Sequence, residues 1–248
     1  MNILGDIGNT ETKVFLVNSK NKVIKNVNFS TKNINKKVLN TKFKLLINDF
    51  SKIEKILFCS VVPKSFDLIK FYLSKKTQKK CHEVKDLKLN SLIKIDVNFK
   101  QVGSDRLTNA ISVLNNRNNF IILDFGTATT FDVLIKRAYK GGIIAPGIKI
   151  SLNTLADKAS LIPKINLKKI NKIIGVDTIS AVRSGFFWGY VGLIDNIVNL
   201  IKKEINKSFK LVITGGFSDL FKESIKTKLI KDKEITIKGL IKISKLIK

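Results

Sequence analysis

The sequence predicts an α/β fold built from two similar lobes, and two observations support this. Strands alternate with helices along the chain, which is typical of α/β proteins. The order of the elements also repeats, because a strand, an Asp-x-Gly turn and two more strands begin at Asn2 and again at Phe120. The repeat divides the 248 residues into lobes at about 1–115 and 118–248, with a ligand cleft expected between them.

The elements of the first half follow from the spacing of apolar residues. A period of two, interrupted by polar turns, predicts strands, and spacing by three or four residues predicts helices. Pro63 is expected to stop the fourth strand. The predicted strands are Asn2–Asp6, Thr12–Val17, Lys22–Phe29 and Ile56–Val62, and the predicted helices are Asn40–Phe50, Ser65–Lys75 and Ser104–Arg117.

The second half restarts the same pattern with an apolar strand that ends in an acid. A long helix and a further apolar strand follow the first three strands, as in the first half. The predicted strands are Phe120–Asp124, Thr129–Ile135, Tyr139–Ile144 and Leu211–Thr214, and the long helix covers Thr178–Lys203.

Composition restricts the classes of protein that the chain can belong to. Apolar residues make up 44% of the sequence, enough for a buried core. No run approaches the ~18 apolar residues of a membrane span, and the first residues do not resemble a secretory signal, so we expect a cytoplasmic protein with no membrane partner. The formal net charge is +27, yet all but four of the 46 basic residues are lysines spread along the chain. This distribution favours a solvated surface and no specific nucleic-acid partner.

Cysteine and histidine give little support for a transition-metal site or a catalytic triad. Cys59 and Cys81 are too far apart in sequence for a metal knuckle or a redox pair. His82, the only histidine, has no cysteine or acidic partner at a ligand spacing. The chemistry is therefore expected from carboxylates, glycines and hydroxyls.

The first Asp-x-Gly turn lies in DIGNTETK, Asp6–Lys13. Gly8 allows a ligand to approach the backbone, and Asn9 and Thr10 offer side-chain donors beside the amide groups of the turn. Asp6 ends a buried strand, where a carboxylate requires solvation, a partner or a metal. The motif favours phosphate binding with Mg²⁺ held through Asp6, although a tight hairpin without a ligand has the same residues.

The second turn lies in DFGTATTFD and repeats the order of acid, glycine and hydroxyl side chains. Asp124 occupies the place of Asp6, and Thr127 follows the glycine. Because the copy falls at the equivalent place of the second half, the pair indicates a nucleotide phosphate site more strongly than either turn alone. Neither a Walker A loop nor a G-x-G-x-x-G loop is present, so phosphates would be bound by hairpin turns.

A third motif, GSDR at Gly103–Arg106, begins a predicted helix. The N-terminus of a helix favours anions, and Arg106 can bind a carboxylate through two hydrogen bonds. Asp105 can accept a proton from a hydroxyl nucleophile. The alternative is that Ser104 and Asp105 only cap the helix.

The motifs together resemble those of the type III pantothenate kinases, a family related to actin, sugar kinases and heat-shock chaperones. The resemblance rests on the three motifs above, on GGIIAPG at Gly141–Gly147 and GVDTISAVRSG at Gly175–Gly185, and continues through Thr214–Gly216 to Ile235–Leu240. It covers essentially the whole chain. It implies two duplicated ribonuclease-H-like lobes with a nucleotide-binding cleft between them.

The resemblance also implies a reaction and its residues. The family phosphorylates pantothenate with ATP to 4'-phosphopantothenate, the first step of coenzyme A synthesis. Asp105 would be the catalytic proton acceptor, and Asp124 would hold a monovalent cation, usually potassium or ammonium. The implied ATP-binding residues are Asp6, Ile7, Gly8, Asn9, Thr10, Glu11, Thr12, Lys13 and Thr127. The implied pantothenate-binding residues are Phe99, Gly103, Ser104, Asp105, Arg106 and Thr178.

Three further expectations remain open at this stage. The family is dimeric, and Gly185, Gly189 and Gly192 give a helix that could pack against a partner or lie inside the core. Phe99 stands where the family usually has a tyrosine, so a kinase for another small hydroxy acid is an alternative. A catalytically weak transcription accessory factor of the same fold is the alternative from a different class.

Overall fold

The computed structural model describes residues 1–247 of the chain. In chain order the strands are β1 (Asn2–Ile7), β2 (Glu11–Val17), β3 (Val23–Ser30), β4 (Lys55–Ser60), β5 (Cys81–Glu83), β6 (Lys94–Ile95), β7 (Phe120–Phe125), β8 (Ala128–Ile135), β9 (Ala138–Pro146), β10 (Lys210–Gly215) and β11 (Leu229–Lys231). The α-helices are α1 (Lys36–Leu46), α2 (Pro63–Thr77), α3 (Ser104–Val113), α4 (Ile148–Lys158), α5 (Thr178–Ile205), α6 (Ser218–Phe221) and α7 (Ile235–Ser244).

The chain forms two compact units. Unit 1 contains Met1–Leu114 together with residues 234–247, and unit 2 contains Asn115–Lys233. The structure therefore differs from the expected lobe of 118–248 at its C-terminal end. The physical reason is that α7 packs on α3, β1 and β4, where Thr236 Oγ1 donates to Asn109 Oδ1 at 2.8 Å.

The two units repeat one sheet topology. In unit 1 the strands lie in the order β3-β2-β1-β4-β5, and in unit 2 the order β9-β8-β7-β10-β11 corresponds strand for strand. The first three strands of each unit pair antiparallel, and β4, β5, β10 and β11 pair parallel. The predicted fold class, α/β with two duplicated lobes, is confirmed.

The core of unit 1 lies between its sheet and the helices α1 and α2. Ile3, Ile7 and Val14 from β1 and β2 pack with Phe43 of α1 and Ile69 of α2. Burying such apolar side chains contributes on the order of 1.5–3 kcal/mol each relative to exposure. The same packing fixes β1 and β2, and hence the turn between them.

The core of unit 2 is rich in aromatic rings. Phe221 stacks on Phe125 and on Phe187, with ring centroids 5.3 Å apart in each pair. Phe187, on α5, is fully buried, which orients this long helix against β7. One face of α5 is therefore core, while its glycines lie on another, exposed face.

Two helix predictions were wrong at their ends. α1 begins four residues earlier than expected because Asn35 caps it, accepting a hydrogen bond from Val38 N at 3.0 Å. α3 ends at Val113 rather than Arg117, and α4 was not predicted.

Within residues 1–247, no helix is both long and apolar enough to cross a membrane.

Candidate functional site

The first Asp-x-Gly turn joins β1 to β2 as a tight hairpin. Ile7 pairs with Thr12 across the strands, so residues 8–11 form the turn, and Gly8 N donates to Glu11 O at 3.1 Å. Asn9 and Thr10 are exposed at the tip, where they can reach a ligand. The side chains of Ile7 and Thr12 are fully buried, so any contact that these two make with ATP must come from their backbone.

Asp6 lies at the end of β1 in a largely buried position. Burial is the main cause that raises the pKa of this carboxyl from 3.8 to about 6, and the nearby negative charge of Asp105 raises it further. The Cys59 thiol donates to Asp6 Oδ1 at 3.4 Å and opposes the shift, as does the charge of Lys13. The Asp6 carboxylate can bind a cation, because the protein offsets its negative charge only weakly.

The GSDR motif lies at the start of α3, as predicted. Asp105 Oδ1 accepts a hydrogen bond from Arg106 N at 2.8 Å. Burial raises the pKa of the Asp105 carboxyl, although the backbone N–H and the charge of Arg106 oppose the shift. A Cβ on Gly103 would collide with Asp105 Oδ1, so glycine at this place leaves room for the carboxylate. These features suit a proton acceptor beside a substrate hydroxyl.

Ser104 fastens α3 to the end of β4. Its hydroxyl donates to Ser60 O at 3.0 Å and accepts from Ser60 N at 2.8 Å. The side chain is only 1% exposed, so the buried hydroxyl of Ser104 fixes the orientation of the motif relative to β4. Ser60 directly follows Cys59, and the end of β4 therefore contacts both Asp6 and the start of α3.

Two further residues of this region carry no motif and were missed by sequence reasoning. The Glu83 carboxylate accepts from Ser60 N at 3.3 Å and from Lys85 N at 2.5 Å, and burial raises the pKa of Glu83. Lys85 Nζ donates to Val102 O at 3.0 Å and lies 5.2 Å from the centroid of the Phe99 ring. This lysine lies over the ring of Phe99, a predicted pantothenate-binding residue. A single lysine outside any motif gives no signal in a lysine-rich sequence.

The second Asp-x-Gly turn joins β7 to β8 in unit 2. Phe125 pairs with Thr129, so residues 126–128 form the turn, which is one residue shorter than the first. Gly126 N donates to Ala128 O at 3.1 Å, and Thr127 is exposed at the tip. The two turns are thus related by the duplication but differ in length.

Asp124 lies beside the glycine at the end of β10. Gly215 has φ +85°, and a Cβ there would lie 2.6 Å from Asp124 Oδ1. The glycine therefore allows β10 to approach Asp124 and the backbone of Phe125 more closely than any side chain would permit. The Asp124 carboxylate is partly buried, and its oxygens are ligands of the kind that a monovalent cation prefers.

Thr178, the remaining candidate, is the first residue of α5 in unit 2. Asp177 caps this helix by accepting from Ser180 N at 2.8 Å, and Ser180 Oγ accepts from Asp177 N at 3.1 Å. Thr178 is exposed, so its hydroxyl is accessible to a ligand. The rigid capping box fixes the place of Thr178.

Asp6 is the carboxylate beside the first turn that could hold Mg²⁺ together with substrate phosphates. Over the described residues 1–247, no three His, Cys, Asp or Glu side chains are grouped to hold a metal ion. Mg²⁺ usually takes only one or two carboxylates and relies on substrate phosphates and water for the rest. Asp6 beside an exposed turn fits such a role.

The duplicated sheets, each with an acid–glycine turn after its first strand, define the actin- and sugar-kinase-like class of fold. Two solved structures share it. A Sinorhizobium meliloti protein described as a 2-dehydro-3-deoxygalactonokinase matches with TM-score 0.62 at 9% identity over 100% of this chain and 99% of its own. A Campylobacter jejuni protein described as a Baf family transcriptional activator matches with TM-score 0.60 at 21% identity over 98% and 97% of the two chains.

Sequence comparison gives the family within that class. The model of the type III pantothenate kinase family matches residues 2–200. The type III pantothenate kinase of Pelagibacter ubique (strain HTCC1062) is 66% identical over 248 residues, covering 100% of both chains. This chain belongs to the type III pantothenate kinase family.

Proposed function

We propose that this chain transfers the γ-phosphoryl group of ATP to the hydroxyl of pantothenate, giving 4'-phosphopantothenate in the first step of coenzyme A synthesis. The observation that carries the proposal is the 66% identity to a type III pantothenate kinase over the full length. Unit 1 supports it, because Asp6 and Asp105 are close enough for the charge of Asp105 to raise the pKa of Asp6.

Asp105 is proposed as the group that accepts the proton of the pantothenate hydroxyl. Its raised pKa supports this role, since a general base works best when its pKa approaches the working pH. Arg106 would bind the carboxylate of pantothenate through its guanidinium. Phe99, Gly103, Ser104 and Thr178 would shape the remainder of the substrate site.

The turn Asp6–Lys13 is proposed to hold ATP, and Thr127 in the second turn is a further proposed ATP-binding residue. Exposed Asn9 and Thr10 would donate to phosphate oxygens, and Lys13 would add a positive charge. Mg²⁺ bound with ATP neutralises charge on the phosphates, and Asp6 would orient it. Because phosphoryl transfer passes through a loose transition state, positioning and electrostatics matter more than a strong base.

An acceptor panel tests the proposed substrate. The protein is incubated with ATP, Mg²⁺ and K⁺, and ADP release is measured with pantothenate and with other small hydroxy acids. We expect release to depend on pantothenate and to be weak with the others. A different preferred acceptor would contradict the substrate assignment and would direct attention to Phe99.

The alternative of a transcription accessory factor is not favoured, because the family match and the full-length relative are both kinases.

A monovalent cation, potassium or ammonium, is proposed to bind at Asp124. The partly buried carboxylate of Asp124, which residue 215 as a glycine does not cover with a side chain, supports this site. Replacing K⁺ with Na⁺ in the assay is expected to lower kcat about tenfold, since a lost electrostatic contact at a phosphate site has effects of this order or larger. Asp124→Asn is expected to show the lower rate in both salts. A variant that still responds to K⁺ would place the cation elsewhere.

A homodimer is proposed, with the exposed glycine face of α5 in the interface. An added Cβ on Gly185, Gly189 or Gly192 would have no neighbour within 4 Å, although helical glycines reduce stability by roughly 0.5–1 kcal/mol each relative to alanine. Close approach of a partner would compensate for that loss. The apolar residues Ile173, Ile174 and Val176, between 70% and 91% exposed, precede the same helix.

The interface is tested by sedimentation. Gly189→Arg is expected to convert a dimer to a monomer with an unchanged far-UV circular dichroism spectrum, because the position is exposed and an added Cβ there has no neighbour within 4 Å. Asp67→Arg, at an exposed place on α2 and away from the glycine face of α5, is the matched control and should remain dimeric. A dimeric Gly189→Arg variant or a monomeric parent protein would contradict this proposal.

Since ATP is held inside cells, we also propose a cytoplasmic location.

A further inference from the structure

The segment after β3 is hydrogen-bonded to the first turn and to Thr12, the residue that follows the turn. Thr31 N donates to Thr10 O at 3.1 Å, and Thr31 Oγ1 lies 2.8 Å from Thr12 Oγ1. Both hydroxyls are buried, with Thr31 4% and Thr12 0% exposed. Thr31 belongs to none of the sequence motifs, and it becomes a neighbour of the turn only because β2 pairs with β3.

The hydroxyl pair is sensitive to the loss of either member. Each oxygen can both donate and accept, so the pair satisfies two polar groups that water does not reach. Removing one hydroxyl leaves the other buried without that partner, which is unfavourable, whereas removing both is close to neutral. The pair therefore ties the start of β2 to the segment after β3 in one geometry.

The duplication provides an internal comparison. Thr12 pairs with Phe29, two residues before Thr31, and in unit 2 Thr129 pairs with Ala145, two residues before Gly147. The register thus makes Thr129 the counterpart of Thr12, and Gly147 the counterpart of Thr31.

The second turn lacks the hydroxyl pair that the first one has. Gly147 has no hydroxyl to offer, and Thr129 Oγ1 is buried without a hydrogen-bond partner in the part of the chain that the structure describes. The duplicated hairpin consequently forms without such a pair. The hydroxyl pair is a feature of the first turn, not a requirement of the fold.

We propose that Thr31 is a positioning residue for the first turn. Through Thr12 and Thr10 it holds the backbone of residues 8–11 in the geometry that presents amide groups to the phosphates of ATP. This inference rests on the proposed ATP-binding role of the turn. Its expected signature is a loss of affinity for ATP with little change in the KM for pantothenate.

The test compares Thr31→Val with Thr31→Ser and with Thr77→Val. Valine keeps the shape of the side chain and removes the hydroxyl, while serine keeps the hydroxyl. Thr77, on α2, is the matched control because its buried hydroxyl donates to Leu73 O at 2.8 Å, away from the turn. Affinity for ATP is measured by calorimetry without an acceptor, and KM values are measured with pantothenate.

Thr31→Val is expected to weaken ATP binding about tenfold, as the loss of one buried hydrogen bond implies. Thr31→Ser and Thr77→Val should bind ATP as the parent protein does. An unchanged affinity in Thr31→Val, or an equal loss in Thr77→Val, would overturn the proposal. If the parent protein binds ATP but does not phosphorylate pantothenate, the proposed function fails while the calorimetric comparison still decides the role of Thr31.

A double variant separates positioning from simple burial and also covers a failure of the single variant to fold. In Thr12→Val/Thr31→Val no unpaired hydroxyl of this pair remains, so folding should recover. The positioning role predicts that affinity for ATP stays low in this variant. Restored affinity would show that only the buried hydroxyl had been harmful, and it would overturn the proposal.

Discussion

Asp105→Asn is expected to lower kcat by about 10²–10⁴-fold, the range typical for the loss of a general base, while affinity for ATP changes little. Asparagine has nearly the same shape and can still accept the hydrogen bond from Arg106 N through its side-chain oxygen. The start of α3 should therefore keep its geometry. What is lost is the ability to take the proton of the acceptor hydroxyl.

The measurement is a pair of titrations on the same preparation. Steady-state rates give kcat, and calorimetry with ADP or ATP gives the affinity for nucleotide. Asp67→Asn, which changes an exposed acid on α2 of the same unit, is the matched control and should be fully active. If Asp105→Asn loses affinity for ATP by the same factor as kcat, Asp105 holds nucleotide and is not the proton acceptor.

Asp6→Asn is expected to abolish most activity and at the same time to stabilise the protein. The loss of activity should be on the order of 10²–10³-fold, as for other groups that stabilise charge in a phosphate or oxyanion site. The gain in stability follows from burial, which raises the pKa of Asp6 from 3.8 to about 6. At 1.36 kcal/mol per pKa unit, the ionised carboxylate lowers the free energy of unfolding by about 2–3 kcal/mol above pH 6.

The pH dependence gives the sign of this effect. A group whose pKa is higher in the folded state favours folding at low pH, and that contribution is lost as pH rises through the folded pKa. The stability advantage of Asp6→Asn should therefore be absent below about pH 4, grow between pH 4 and 6, and remain constant above. Urea unfolding of the nucleotide-free protein at several pH values measures it.

Two controls make the Asp6 prediction specific. Asp49→Asn changes an exposed acid whose pKa is lowered by hydrogen bonds from Ser51, so it should reduce stability at neutral pH. Burial still raises the pKa of Asp6 in Asp105→Asn, but the added contribution of the Asp105 charge is removed, so the pH dependence of nucleotide binding should move to lower pH in that variant. An Asp6→Asn protein that is less stable than its parent at pH 8 would contradict the account of Asp6.

Much of the fold could be predicted because the duplicated strands carry their own patterns. The apolar runs that end in Asp6 and Asp124 set the first strand of each sheet, and the glycines that follow set the turns. The packing of α7 on unit 1 could not be predicted in this way. The apolar residues of Ile235–Ser244 indicate that this helix is buried, but they do not indicate which sheet it packs on.

The candidate site shows the same division. The carboxylates Asp6 and Asp105 stand in motifs that indicate their chemistry, so sequence reasoning finds them. Glu83 and Thr31 stand in no motif, and they reach the site through strand pairing, β5 beside β4 and β3 beside β2. Residues that position others in this manner are visible only once the register of the sheet is known.

The most direct test of the account is to identify the product of the reaction. The purified protein is incubated with pantothenate, ATP, Mg²⁺ and K⁺, and the mixture is analysed by mass spectrometry alongside the amount of ADP formed. We expect pantothenate that carries one added phosphoryl group, in an amount equal to the ADP. ADP formed at the same rate without pantothenate, or the absence of phosphorylated pantothenate, would contradict it.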